Sequence, residues 1–296
     1  MAIILDRNTG VLVQGITGKE SSFWTRKMLD SGTRVVAGVT PGKAGEKVYG
    51  VPVYDLVTDA LADHDIGLSV MYVPARFAKT AAFEALDAGI KQVVILADGV
   101  PLRDAMEIKD LARDCGALVV GPNTAGLASI GHGMVGFMPT WLEEVYSPGC
   151  VGVLSRSGTL TNEISAYVIS AGYGISSVVG CGGDMVPCSR FVDILKLYEK
   201  DKDTKAVVIV GELGGTMEEE VADMVSRGFF TKPIAAYIAG RTAPPGKRMG
   251  HAGAIITGGK GTVKSKVNEL NAAGVPVAEI PAQIGSLLQE MLAGVK

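Results

Sequence analysis

Short apolar runs alternate along this chain with longer segments in which apolar residues recur every three to four positions. In the first half, Val11–Gln14, Arg34–Gly38, Leu68–Val73, Gln92–Leu96 and Leu118–Val120 read as buried strands. Between them Glu20–Asp30, Phe77–Ala88 and Leu102–Asp114 carry the helical period. The pattern lapses across Thr124–Pro148, a stretch rich in Gly and Met that also holds Trp141. It resumes with strand Val151–Ser155, helix Leu160–Ala171, strand Ile175–Val179, helix Phe191–Glu199, strand Ala206–Val210, helix Met217–Ser226 and strand Ile234–Ile238. Val263–Ala273, Val277–Ile280 and Ile284–Leu292 close the series. Strands alternating with helices predict βαβ units and parallel sheets. The expectation is an α/β protein of two open parallel domains, 1–125 and 149–296, joined by a crossover at 126–148.

Composition narrows the function classes. Hydrophobic residues at 47% and charged residues at 20% fit a globular enzyme rather than a disordered or fibrous chain. A length of 296 residues suits two cores. A formal charge of −3 lacks the basic face that nucleic acid requires, so no nucleic-acid partner is expected. No apolar stretch approaches the ~20 residues of a membrane span, and the N-terminus lacks the layout of a signal peptide. Cys115, Cys150, Cys181 and Cys188 show no metal-ligand spacing and are too few for a disulfide framework. They read as reduced thiols, with no metal site and a cytoplasmic location, the mitochondrial matrix remaining open. Glycine is abundant at 39 residues, many at the ends of apolar runs where turns over phosphates would lie.

Three segments carry candidate chemistry. Gly15-Ile16-Thr17-Gly18 follows the first strand, where a glycine turn lets phosphate approach a helix N-terminus. It is not the full G-x-G-x-x-G of dinucleotide sites, and no acid stands after the second strand to hold a ribose. Val39-Thr40-Pro41-Gly42-Lys43 is there instead, and a lysine suits a phosphate-rich ligand. An NAD(P)-dependent oxidoreductase stays open as an alternative. Ser155-Arg156-Ser157-Gly158-Thr159 ends a strand and opens a helix, whose first turn offers unpaired N–H groups to a phosphoryl group. An ordinary capped helix start fits these residues equally.

The third segment is His251, in Lys247-Arg248-Met249-Gly250-His251-Ala252-Gly253-Ala254-Ile255-Ile256 after a Pro- and Gly-rich run. Small neighbours leave the imidazole uncovered, and a neutral ring can attack phosphorus and hold the phosphoryl group on nitrogen. A surface histidine in a turn is the plainer reading of such a residue. Glu212 follows the strand Ala206–Val210 among glycines, and a carboxylate there could fix the tautomer of an imidazole. His64 reads as solvated in a polar turn, and His132 as a residue of the crossover.

These segments, with Gly121-Pro122-Asn123, Gly182-Gly183-Asp184 and Gly211-Glu212-Leu213-Gly214-Gly215, occur in the order seen in one family, from about residue 3 onward. The chain closely resembles the α-subunit of succinyl-CoA synthetase and related NDP-forming acid–CoA ligases. The resemblance implies a Rossmann-like CoA-binding domain followed by a flavodoxin-like ligase domain. It implies CoA contacts from Thr17, Gly18, Lys19, Glu20, Lys43, Tyr72, Val73, Pro74, Ala97, Asp98, Gly99 and Asn123. Glu20 and Asp98 depart from the family's usual Gln and Glu, and Glu20 sets a negative charge near an anionic ligand. His251 is implied as the phosphohistidine with Glu212 as its partner. Ser155, Arg156, Ser157, Gly158, Thr159, Asn162, Gly182 and Gly183 are implied around the phosphoryl group and the acid. ATP or GTP with Mg²⁺ would be bound mainly by a β-subunit bearing an ATP-grasp domain, in an αβ or α2β2 assembly. A non-catalytic CoA-binding module and a fragment of a single-chain ligase are the remaining alternatives.

The acid is open. Thr159-Leu160-Thr161-Asn162-Glu163 holds Asn where succinyl-CoA synthetases carry a tyrosine that contributes to the acid site, and resembles the corresponding segment of ATP-citrate lyase. Phe137-Met138-Pro139-Thr140-Trp141-Leu142 also departs from the family's run. A small dicarboxylic acid such as succinate and a bulkier or hydroxylated acid such as malate or citrate are both expected candidates.

Overall fold

The structure, a computed structural model, describes residues 3–243, 250–256 and 261–293. Residues 244–249, which begin the expected histidine loop, lie outside the described residues. The chain divides into two compact units. One holds residues 4–139 and 186–189, the other residues 1–3, 140–185 and 190–296.

The first unit is built on β1 (Val11–Gln14), α1 (Lys19–Asp30), β2 (Val35–Val39), β3 (Lys47–Val48), β4 (Val51–Tyr54), α2 (Val57–Asp63), β5 (Leu68–Met71), α3 (Ala75–Asp87), β6 (Gln92–Ile95), α4 (Leu102–Asp114) and β7 (Leu118–Val120). Its sheet runs β3-β4-β2-β1-β5-β6-β7, parallel except for the β3/β4 pair. β1 and β5 are buried at every position, which is why they read as mostly apolar runs rather than alternating ones, and their polar members Gln14 and Ser69 hydrogen-bond to each other at 2.8 Å. Ala78, Ala81, Ala82 and Ala85 of α3 face the sheet, and small side chains there let the helix approach Leu12, Met71 and Ile95 closely. The chain lays β2 and β4 on one side of β1 and then crosses to put β5 on the other. A switch point therefore lies between the carboxyl ends of β1 and β5, where open α/β sheets hold ligands.

The segment read as a crossover is more ordered than expected. β8 (Gly126–Ser129) and β9 (Gly133–Gly136) form an antiparallel hairpin there, and the first unit extends to Pro139. Thr33 holds it: its hydroxyl donates to the Met134 carbonyl at 2.7 Å and accepts the Met134 N–H at 2.9 Å. Tyr72 donates to the Gly136 carbonyl at 2.8 Å, and Phe137 meets Trp24 and Tyr72 edge-on. His64 differs too. Its Nε2 lies 2.9 Å from the Tyr54 hydroxyl, so it is engaged rather than simply solvated.

The second unit comprises β10 (Pro148–Ser155), α5 (Gly158–Ser170), β11 (Ile175–Gly180), α6 (Phe191–Lys200), β12 (Ala206–Glu212), α7 (Met217–Ser226), β13 (Ile234–Ala239), α8 (Val263–Ala272), β14 (Val277–Ala278) and α9 (Ile284–Met291). Its strands follow the order β14-β13-β12-β10-β11, all parallel. That is the doubly wound flavodoxin-like arrangement, with the switch point between β10 and β12. Tyr198 of α6 fills the space above Gly152 and donates to the Val153 and Ser177 carbonyls, tying helix to sheet. Among the described residues, no helix is long and apolar enough to cross a membrane.

The hairpin makes one stability prediction. Gly126 sits at φ +99, and a Cβ there would run into the backbone carbonyl of Val135 on the paired strand. Gly131, in the turn at φ +83, has open space around it. Gly131→Ala should cost about 1 kcal/mol from backbone strain alone, and Gly126→Ala about 3 kcal/mol or more, because its clash is with backbone. Urea titrations of the two variants followed by circular dichroism should separate them in that order; equal midpoints would show that the hairpin yields freely.

Candidate active site

The second unit brings the charged residues together through strand register. Ser155, last in β10, pairs with Val210 of β12, and the Arg156 N–H continues the ladder to the Val210 carbonyl at 3.1 Å. β12 runs two residues further and ends on Glu212, so an arginine and a glutamate emerge side by side at the switch point. Arg156 Nη2 lies 3.2 Å from Glu212 Oε1, and Nη1 donates to the Gly214 carbonyl at 3.0 Å. Glu212 Oε2 lies 2.8 Å from His251 Nδ1. The loop bearing His251 is pinned by the Gly253 N–H donating to the Gly183 carbonyl at 3.0 Å. Gly183 itself forms the seat of the imidazole, since a Cβ at that position would overlap the ring.

Burial gives this cluster its strength. Arg156 is 4% exposed and Glu212 8%, whereas the His251 side chain keeps 28% of its surface. The Glu212 hydrogen bond raises the His251 pKa above the ordinary imidazole value against the opposing effect of burial. Its charge adds to the rise, Arg156 opposes it and Asp184 assists. The geometry shows a partly exposed histidine whose Nδ1 is held by a carboxylate.

The N-terminus of α5 is organised by its own side chains. Ser157 caps the helix by accepting the Leu160 N–H at 3.4 Å. The Ser155 hydroxyl accepts the Ser157 N–H at 3.0 Å and donates to the Ser157 carbonyl at 2.9 Å. Gly158 opens the helix, and Thr159 stands exposed in its first turn. One turn on, Asn162 Oδ1 accepts the hydroxyl of Tyr146, a buried residue that the sequence pattern did not single out. Burial pushes the Tyr146 phenol well above its usual range, so it remains an O–H donor toward the Asn162 oxygen. Gly182, Gly183 and Asp184 are buried behind the histidine.

The first unit offers a cavity of about 460 Å³ at its own switch point. Thr17, Gly18, Tyr72, Val73 and Pro74 line it, with Val39, Thr40, Pro41 and Phe77. Lys19 and Glu20 occupy the first turn of α1 just beyond Gly18, exposed to solvent. The Lys43 ammonium is paired with Glu46 at 2.9 Å and does not line the cavity. Ala97, Asp98 and Gly99 follow β6. Asn123 joins them through its N–H to the Ala97 carbonyl at 2.8 Å, without reaching the cavity wall. None of the four cysteines is in a disulfide.

Two further charges escaped the sequence reading. Glu218 and Lys266 are fully buried beneath Glu212. Glu218 begins an acidic first turn, Glu218-Glu219-Glu220, which reads as a dipole-complementing helix start, and Lys266 reads as a surface lysine of α8.

With this geometry in view, residues 6–99 match the CoA binding domain family and residues 154–276 the CoA-ligase family. The chain is 55% identical over 98% of its length, and 98% of the relative's, to an ADP-forming sulfoacetate-CoA ligase subunit from Acholeplasma sp. It is 49% identical over 99% of its length to a succinate–CoA ligase [ADP-forming] subunit alpha 2 from Archaeoglobus fulgidus, all of which is covered. It superposes on ATP citrate lyase from Methanothrix soehngenii with a TM-score of 0.90 at 28% identity, covering 98% of this chain. The chain spans about half the length of that lyase polypeptide, 50%.

The Glu212 contact fixes a titration and its sign. His251 should titrate above 6.5, and Glu212→Gln should move its midpoint downward. A folded-state pKa above the unfolded one means that the contact stabilises the fold fully below pH ~6.5 and is lost as pH rises through the folded value. The NMR titration of the His251 ring protons in the two proteins reads this directly; superimposable curves would contradict the contact.

Proposed function

The chain belongs to the family of NDP-forming acid–CoA ligase α-subunits, and from that premise we propose that His251 carries a phosphoryl group from a nucleoside triphosphate to a small carboxylic acid. The observation that carries this reading is the 2.8 Å contact between Glu212 Oε2 and His251 Nδ1 in a largely buried cluster. A carboxylate on Nδ1–H leaves the lone pair on Nε2. Nε2 attacks the terminal phosphorus, the P–N bond forms, and the bond to the bridging oxygen breaks with loss of the nucleoside diphosphate. The ring gains positive character as that bond forms, and the adjacent carboxylate offsets it at the moment the charge develops. A carboxylate oxygen of the acid then attacks the phosphorus, breaking the P–N bond and restoring the neutral ring. CoA, when bound, supplies the thiol that takes the acyl group and releases inorganic phosphate.

The roles follow the geometry. Arg156 holds Glu212 and the Gly214 carbonyl, so we assign it to orienting the carboxylate rather than to gripping phosphate. Ser155 and Ser157 shape the N-terminus of α5, whose backbone N–H groups, with those of Gly158 and Thr159, suit a phosphoryl group. Gly182 and Gly183 back the ring. In the first unit, Thr17, Gly18, Tyr72, Val73 and Pro74 are assigned to CoA, with Lys19, Glu20, Lys43, Ala97, Asp98, Gly99 and Asn123 around them as outer contacts. The relatives are named as subunits, which implies a partner chain, and we assign to that partner an ATP-grasp domain, the nucleotide and its Mg²⁺. ATP is the proposed nucleotide, because the relatives are ADP-forming, and the cytoplasm the proposed location.

For the acid, Tyr146 takes the acceptor end of Asn162 and leaves donors to face a ligand. Donors suit an acid whose far end is an ionised oxyanion with acceptors only, and suit a hydroxyl group less. That sets sulfoacetate and succinate ahead of malate and citrate, and sulfoacetate is the proposed substrate because the sulfoacetate-CoA ligase subunit shares 55% of its residues with this chain. Succinate is the second reading, favoured by the relative from Archaeoglobus fulgidus.

Two measurements test this reading. With γ-labelled ATP, the assembled enzyme should acquire an acid-labile, base-stable phosphoryl group that His251→Asn abolishes; equal labelling of the variant would end the assignment. In a panel of sulfoacetate, succinate, malate and citrate, kcat/KM should be highest for sulfoacetate, and Asn162→Tyr should shift the preference toward succinate by roughly tenfold, the scale of one or two hydrogen bonds. A clear succinate preference that Asn162→Tyr leaves unchanged would refute sulfoacetate as the substrate, and a preference for malate or citrate would refute the donor argument.

A further inference from the structure

Lys266 and Glu218 are an ion pair with both side chains at 0% exposure. A buried pair of this kind is a poor investment for stability, because desolvation consumes most of the attraction and well-packed apolar residues do as well. Its contacts point elsewhere. Glu218 Oε1 accepts the backbone N–H of Glu212 at 3.1 Å and faces Arg156 Nη1 at 3.9 Å, while Oε2 takes the Lys266 ammonium. Lys266 also donates to the Gly215 carbonyl at 3.0 Å and to Glu219 Oε2 at 2.7 Å. The turn from Glu212 to Gly215 is thus fastened at both ends. Between them, the Gly214 carbonyl accepts from Arg156 and the Gly214 N–H donates to the Gly261 carbonyl at 2.8 Å. Gly211 makes room for the arrangement, since a Cβ there would overlap the Glu218 carboxylate.

The charges alternate along this line: Lys266, Glu218, Arg156, Glu212, His251. Each of the two carboxylates sits between two basic groups, and Arg156 sits between two acids. Arg156, drawn by Glu212 and Glu218 together, cannot leave for a passing phosphate without exposing both. Glu212 is held from below through its backbone N–H, which fixes the point on the main chain from which its carboxylate reaches Arg156 and His251.

We propose that Lys266 and Glu218 are positioning residues that lock Glu212 and Arg156 in the orientation His251 requires. The proposal rests on the reading of His251 as the phosphoryl carrier. Neither residue touches the ring; both act through Glu212 and its turn.

The experiment uses the chain with its partner subunit and follows single-turnover phosphorylation by γ-labelled ATP across pH, beside thermal melting. Lys266→Met and Glu218→Leu alone each strand a buried charge or an unpaired N–H, and should melt well below wild type. The double variant Lys266→Met/Glu218→Leu removes the charge pair and should recover much of the lost melting temperature. Its phosphorylation should nevertheless remain about 10–100-fold slow, with the acidic limb moved to lower pH. Glu212, Arg156 and Asp184, the charged groups that face His251, are unchanged in it. Lys266→Met/Glu218→Gln keeps an acceptor for the Glu212 N–H and should lie between the double variant and wild type. A Leu-containing double variant with wild-type rate and wild-type pH limb would reduce the pair to core filling and overturn the proposal. If that variant does not fold, the Gln-containing one decides in its place, a wild-type rate and limb again overturning it. Loss of the carrier reading gives a different result: wild type and His251→Asn would then label alike.

Discussion

A single carboxylate organises the second unit. Glu212 is almost wholly withdrawn from water, and an unpaired charge in that position would cost several kcal/mol. It is made tolerable by dividing its oxygens between Arg156 and His251. The constraint runs in both directions. Arg156 must come from the strand next door, which requires the β10/β12 pairing, and His251 must come from a distant loop, which requires Gly183 and Gly253 to bring that loop in. The sheet order, the glycines and the imidazole are thus consequences of keeping one buried negative charge satisfied.

The layered α/β fold was legible because its central strands are buried on both faces. Val11–Gln14 and Leu68–Met71 have no solvent side, so their apolar character shows without alternation. The β3/β4 side of the first sheet was not legible, although β7 at its other edge was. β4 is four residues long, alternates buried with partly buried positions and contains Pro52, and β3 has only two residues. The β8/β9 hairpin begins and ends its strands with Gly126, Gly133 and Gly136, residues that contribute no side chain to any periodicity. A strand written in glycine is invisible to a pattern of apolar positions, and this one is fixed by Thr33 and Tyr72, far away in sequence.

The site was legible where chemistry and unusual composition coincide. His251 stands out among glycines, and Glu212 among glycines at the end of a strand; the structure brings the two into contact. Arg156 was legible as a charge at a helix start, but its direction was not: register turns it toward Glu212. Glu218 and Lys266 were hidden for a physical reason. Charged residues are rarely buried, so a helix-period reading assigns them to the surface. Only the packing of α7 and α8 over the turn after β12 reveals that these charges satisfy one another inside.

Gly183 gives the second unit an asymmetry between shape and chemistry. The ring of His251 rests on the bare α-carbon of that residue, with no neighbouring side chain between them. The seat lies outside the strands and helices, so a methyl group there would evict the imidazole while the sheet and its helices kept their packing. Assembly of the fold and possession of the reactive group are therefore separately heritable properties of this sequence. One added carbon at Gly183 would displace the His251 ring and leave the architecture as it is.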